Sequence, residues 1–128
     1  MLKQLFFWLA IFWTGLILIS CLIQSSDIPQ ISIPNLDKVV HAFFHFVFTT
    51  LWFLFFKKRL NSVNISKPLA ISFVLSVFFG IGIEIFQGLF TATRSADVFD
   101  VLANITGATL AVVLIVLLNK YSRIIDKI

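Results

Sequence analysis

Four long apolar runs, at 5–23, 39–56, 68–90 and 101–118, constrain this chain of 128 residues more than any other feature. Each holds about 18 to 23 residues, the length a helix needs to cross a hydrocarbon core of about 30 Å. In lipid every backbone N–H and C=O must find its partner within the protein, which leaves helices or closed barrels. The alternating pattern of barrel strands is missing from the sequence. Composition points the same way. Only 12% of the residues are charged and 59% are hydrophobic, with a mean hydropathy of +1.03, whereas a water-soluble domain carries about a quarter charged residues. The expected fold is an all-α membrane protein with four transmembrane helices, at about 5–23, 37–56, 67–90 and 98–119. They form one bundle and one domain over 1–128, with no internal repeat.

The basic residues set the expected orientation. Eight of the ten lie at Lys3, at Lys57, Lys58, Arg59 and Lys67, and at Lys120, Arg123 and Lys127. After four crossings those three locations fall on one side, and short loops rich in Lys and Arg stay in the cytoplasm. Both termini are therefore expected to be cytoplasmic, in a multi-pass protein of the cell (inner or cytoplasmic) membrane. The formal net charge of +4 reads as a topology signal and implies no nucleic-acid partner. The opening "MLK" resembles a secretory signal peptide, and "LISC" at 18–21 loosely resembles a lipoprotein cleavage box. About 19 uncharged residues rich in Trp and Phe exceed a usual signal core, so the run is read as a retained helix. Cys21 is the single cysteine and permits no internal disulfide.

Against this apolar background the polar residues stand out by position. Asp37, Lys38, His41 and His45 open the second helix, and Asp37, His41 and His45 share one stripe at i, i+4, i+8. Glu84 and Gln87 lie one to two turns from the end of the third helix. Arg94 and Asp97 fall in the following loop, and Asp100 and Asn104 open the fourth helix on one face with Gly107. All are expected in the outer half of the bundle, and the inner halves offer nothing comparable. A charge in the membrane costs at least about 2.5 to 3.5 kcal/mol and marks either a site or a paired interior network. Bland roles exist for each residue: Asp37 and Asp97 as helix caps, with Asp100 completing a capping box, Arg94 paired with Glu84 or Asp100, and both histidines hydrogen-bonded in the core. Glu84, deep in an apolar run, has the least structural excuse. Arg94 or Lys38 is expected to hold it ionised. Gly80, Gly82 and Gly88, and later Gly107, Ala108 and Ala111, are expected to let helices approach closely.

The stretches "DKVVHAFFHF" and "EIFQGLFTATRSADVFDVLANITGA" together resemble the VanZ-like family of small bacterial integral membrane proteins. The family pattern places Asp-Lys-x-x-His at one helix start, here Asp37, Lys38 and His41. Glu-x-x-Gln follows at Glu84 and Gln87, then Arg94, then Asp-x-x-x-Asn-x-x-Gly at Asp100, Asn104 and Gly107. Family members often carry Tyr where this chain has His45. The resemblance implies a location and a family. It implies no reaction, although the family is named for a member associated with resistance to the glycopeptide teicoplanin.

The expected function is a polar site at the outer face that engages a cell-envelope component: a lipid headgroup, a lipid-linked precursor or a glycopeptide. Lys38, His41, Gln87, Arg94 and Asn104 would contact phosphate or sugar, and Glu84 and Asp100 would orient them. The alternatives are a membrane-embedded enzyme acting on a lipid-linked substrate through carboxylate and histidine acid–base chemistry, or a subunit of a proton-coupled transporter. Transport by four helices would require a homo-oligomer. Membrane lipids are expected partners, and no cofactor is expected. The His41 and His45 spacing suits zinc, but any polar helical stripe produces it, so no metal site is assigned.

Overall fold

A computed structural model describes residues 1–22, 36–90 and 97–128. The chain forms α1 (Leu2–Leu22), α2 (Leu36–Arg59), α3 (Ser66–Phe90), α4 (Val98–Tyr121) and a final turn of helix, α5 (Ile124–Lys127). The described residues contain no strand. α1 to α4 are each long and apolar enough to span a membrane, at 21 to 25 residues, or roughly 32–38 Å at 1.5 Å per residue. The protein is all-helical, and its exposed Trp8, Phe12, Phe78, Leu89, Phe90 and Phe99 suit a lipid surface and not water.

Local chemistry explains the helix ends. α2 continues through Lys57, Lys58 and Arg59, three residues beyond the apolar run, because cations in a last turn suit the helix dipole. Asn61 then adopts a left-handed φ of 50°. The Ser62 N–H reaches Lys57 O and the Asn61 N–H reaches Lys58 O, both at 3.3 Å, which is a Schellman closure with Asn in the glycine position. α3 starts at Ser66, whose N–H and hydroxyl both donate to Asn64 Oδ1 at 2.9 Å. Pro68 sits in the first turn, where no intrahelical N–H is required. Asp97 caps α4, accepting from the Phe99 N–H at 2.8 Å. Asp37 does not cap α2: the helix begins at Leu36, so Asp37 lies inside the first turn.

α2 is the central helix. It packs against α1, α3 and α4, while the backbones of α1 and α4 do not approach each other. α1 is tied on by the Trp13 indole, which donates to Phe44 O at 2.9 Å, and by the Trp52 indole, which donates to Thr14 Oγ1 at 3.2 Å. Phe48 of α2 stacks on Phe79 of α3 with centroids 4.8 Å apart. At the basic end Phe53, Ile65, Leu69, Ile115 and Ile125 form a closed apolar cluster.

The small residues divide into two groups. A Cβ on Gly107 would overlap the Ala42 carbonyl oxygen and fall 2.9 Å from Ala42 Cα, so α2 and α4 meet backbone to backbone there. Ala108 and Ala111 are fully buried on the same helix, as expected. A Cβ on Gly80 would lie 2.8 Å from Asn104 Nδ2 and 3.1 Å from His45 Cε1. Gly82 is not a packing residue: it has open space where a Cβ would stand.

Candidate functional site

The start of α2, the end of α3 and the start of α4 lie at one end of the bundle, opposite the basic clusters at 57–67 and 120–127. Lys38 stands at the rim. Its Nζ donates to Asp37 Oδ2 at 2.7 Å, Asp97 Oδ2 at 2.7 Å and Asp100 Oδ1 at 2.6 Å. The Lys38 ammonium and the Phe99 N–H hold the Asp97 carboxyl below its ordinary value of 3.8. Beneath Lys38 the groups are buried. His41 Nδ1 lies 3.1 Å from Asn104 Oδ1 and 3.9 Å from Glu84 Oε1, and its Nε2 lies 3.6 Å from Asp100 Oδ2. Asp100 thus spans both levels, one oxygen on Lys38 and the other toward His41.

Glu84 is 3% exposed. One of its oxygens, Oε2, accepts the Asp97 N–H at 3.0 Å, which ties α3 to the cap of α4. The other, Oε1, is buried without a hydrogen bond among the described residues, as is Asn104 Nδ2. Gln87 Nε2 donates to Cys21 O at 2.6 Å and fastens α3 to the end of α1.

The structure therefore brings together Asp37, Lys38, His41, Glu84, Asp97, Asp100 and Asn104, with Gln87 beside them. Two expectations change, and a third lies outside the described residues. Lys38 does not pair with Glu84: its ammonium stays at the half-exposed rim, where three aspartates surround it, and Glu84 lies deeper. Arg94, the other expected partner of Glu84, lies outside the described residues. His45 does not join the cluster either. Its Nδ1 meets Ser76 Oγ at 2.8 Å and its ring lies against Phe48 and Phe79.

That last contact corrects the expectation of an apolar inner half. Ser76, Ser72 and Thr49 are fully buried and continue the polar faces inward, Ser76 and Ser72 in the four-residue steps from Glu84 and Gly80. Their signal was present in the spacing, but small hydroxyls in a membrane helix satisfy themselves cheaply. Ser72 does so, donating to Pro68 O at 2.9 Å. The polar face ends at Phe53, Leu69 and Ile115.

Among the described residues two sets of potential metal ligands each bring their atoms within 4.8 Å of one another: His41, Glu84 and Asp100, and Asp37, Asp97 and Asp100. Lys38 Nζ already fills the second set. His45 belongs to neither.

The VanZ/LLP1 family profile matches residues 5–119, which covers all four spanning helices and every residue of the cluster. The chain belongs to the VanZ/LLP1 family. An uncharacterised protein of Schizosaccharomyces pombe, C11E3.10, is 34% identical over 103 residues, 78% of this chain and 57% of the yeast protein. The chain thus spans little more than half the length of that relative. A fungal relative also means that a bacterial source does not follow from the family. No solved structure matches.

Proposed function

We propose that this VanZ/LLP1 protein binds the polar headgroup of a membrane-borne molecule at the acidic end of its bundle. The observation that carries the reading is that Glu84 Oε1 and Asn104 Nδ2, two of three buried side-chain atoms without a hydrogen-bond partner among the described residues (the third is Thr49 Oγ1), belong to the two residues that flank His41. An unsatisfied buried polar group costs about 1–3 kcal/mol, more when charged, and three helices converge to hold this one. A ligand supplying a donor to Glu84 and an acceptor to Asn104 would relieve both. The basic residues at the opposite end support a cytoplasmic location for both termini, which turns the cluster toward the outer face. In a bacterial host the occupant would be an envelope component: a lipid, a lipid-linked precursor or a glycopeptide such as teicoplanin. The apolar cluster at the inner end favours binding over passage through the bundle. His41, flanked by two carboxylates, also has the makings of an acid–base pair, which supports turnover of the bound molecule as a second reading.

Native mass spectrometry of the protein released from membranes tests binding. Wild type should carry one enriched polar lipid that Glu84→Gln lacks. Gln keeps an oxygen for the Asp97 N–H, so the fold is spared. The same lipid population on both proteins, matching the bulk membrane, would refute the reading. Conversion of the retained lipid by wild type alone would mark the protein as an enzyme.

A further inference from the structure

We infer that His41, Glu84 and Asp100 form a site for a divalent transition-metal ion, with zinc the fitting probe. The inference rests on reading the cluster as a ligand site, but not on the ligand being a lipid. Its first support is geometry. A histidine and two carboxylates from three different helices present ligand atoms within 4.8 Å of one another. Zinc bonds of about 2.0–2.2 Å in tetrahedral geometry place ligand atoms roughly 3.3 Å apart. His41 Nε2 and Asp100 Oδ2, at 3.6 Å, need only a small contraction.

The second support is independent of the clustering. If the groups had been selected only to pair with one another, hydrogen bonds would close between them. They do not: His41 to Glu84 is 3.9 Å and His41 to Asp100 is 3.6 Å, beyond the usual limit of about 3.2 Å. Glu84 Oε1 is buried, faces the imidazole at 3.9 Å and has no hydrogen-bond partner among the described residues. A carboxylate oxygen held this way is short of a cation.

The surroundings also fit. A metal-bound imidazole normally donates its other ring N–H to an oxygen that fixes its tautomer. Asn104 Oδ1, 3.1 Å from His41 Nδ1, is placed to do this and leaves Nε2, on the Asp100 side, to the metal; Glu84 Oε1, 3.9 Å from Nδ1, would have to swing toward that edge. Asp100 Oδ1 is held by Lys38 and Glu84 Oε2 by the Asp97 N–H, so each carboxylate has one oxygen anchored and one free. Among the described residues Asp37, Asp97 and Asp100 share the Lys38 ammonium while Glu84 has only His41 beside it, and a divalent ion would supply the charge Glu84 lacks. Imidazole with carboxylates selects zinc-type ions over calcium or magnesium. Three protein ligands leave a coordination position open, where a phosphate oxygen of a headgroup would be bound by charge that the acidic residues alone would repel.

The test uses the full chain in detergent, stripped with a chelator and then titrated with zinc by calorimetry. One equivalent should bind, and zinc should raise the unfolding temperature. Glu84→Gln should weaken binding more than tenfold, and Asn104→Ala, which alters only the tautomer support, by about 10- to 100-fold. Ser76→Ala, outside the cluster, should bind as wild type does. Absence of saturable zinc binding by the folded wild type, or equal binding by Glu84→Gln, overturns the inference. Lipid retention by the metal-stripped protein separates the two proposals: a lipid held just as well without zinc sinks the role of the ion in headgroup binding and leaves the binding reading intact.

Discussion

Replacing Gly107 by Ala tests the foundation of the candidate site, because the contact of α2 with α4 sets His41 against Asn104. The new Cβ would overlap the Ala42 carbonyl oxygen and approach its carbon to 2.7 Å. These are backbone atoms, so no rotamer change relieves them and the helices must separate. Overpacking of this kind costs about 1–3 kcal/mol. Ala also gains about 0.8–1.0 kcal/mol of helix propensity over Gly, which blurs a single measurement. Gly82→Ala supplies the reference, since its Cβ meets nothing within 4 Å and only the propensity gain remains. The two variants should therefore differ by about 1–3 kcal/mol. At about 3–5 °C per kcal/mol for a chain of this size, that is roughly 3–15 °C in Tm. Thermal unfolding in detergent, followed by tryptophan fluorescence or by the monodisperse fraction, reads it directly. Equal midpoints for Gly107→Ala and Gly82→Ala would refute the backbone contact.

The rim makes a double-mutant prediction. Lys38→Met should destabilise by about 1–3 kcal/mol, because it leaves Asp100, only 11% exposed in its side chain, without its cation at a partly solvated rim. Adding Asp100→Asn should recover most of that loss, and strictly additive effects would contradict the pairing. Acid should weaken the same rim: the Asp97 carboxyl titrates below 3.8 in the folded protein, so its contribution is present above that pH and is lost as pH falls through and below it. A wild-type acid-unfolding profile that overlays Asp97→Asn would count against this. Reporter fusions at the C-terminus and at 60–64 should read cytoplasmic, and fusions at 91–96 should read external; the reverse pattern would place the cluster inside the cell.

Spans and faces were legible in the sequence, and partners were not. Helix length and apolarity identify four crossings because lipid leaves the backbone so few options, and the alternation of crossings puts Asp37, Glu84 and Asp100 at one end. The i, i+4 stripes correctly turn His41, Glu84, Asp100 and Asn104 inward. Spacing carries no information about depth or reach, however. It offered Lys38 to Glu84, whereas the ammonium is taken at the rim by three aspartates. It grouped His45 with His41, although one turn of helix carries His45 past the carboxylates to Ser76. Glycines were equally ambiguous: Gly107 and Gly82 look alike in sequence, and only the position of Ala42 distinguishes them. The extension of α2 through Lys57, Lys58 and Arg59 was missed because an apolar run ends where the hydrocarbon does, while a helix ends where its carbonyls are capped.

The central claim is that Glu84 serves a ligand and not the fold, and a complementation assay with Glu84→Gln tests it most directly. Gln retains an acceptor for the Asp97 N–H and removes the carboxylate charge facing His41. In a host deleted for its own copy, teicoplanin or envelope-stress sensitivity is read beside the amount of protein in the membrane. The account predicts near-normal accumulation with failure to complement. Full complementation by well-accumulated Glu84→Gln would contradict it.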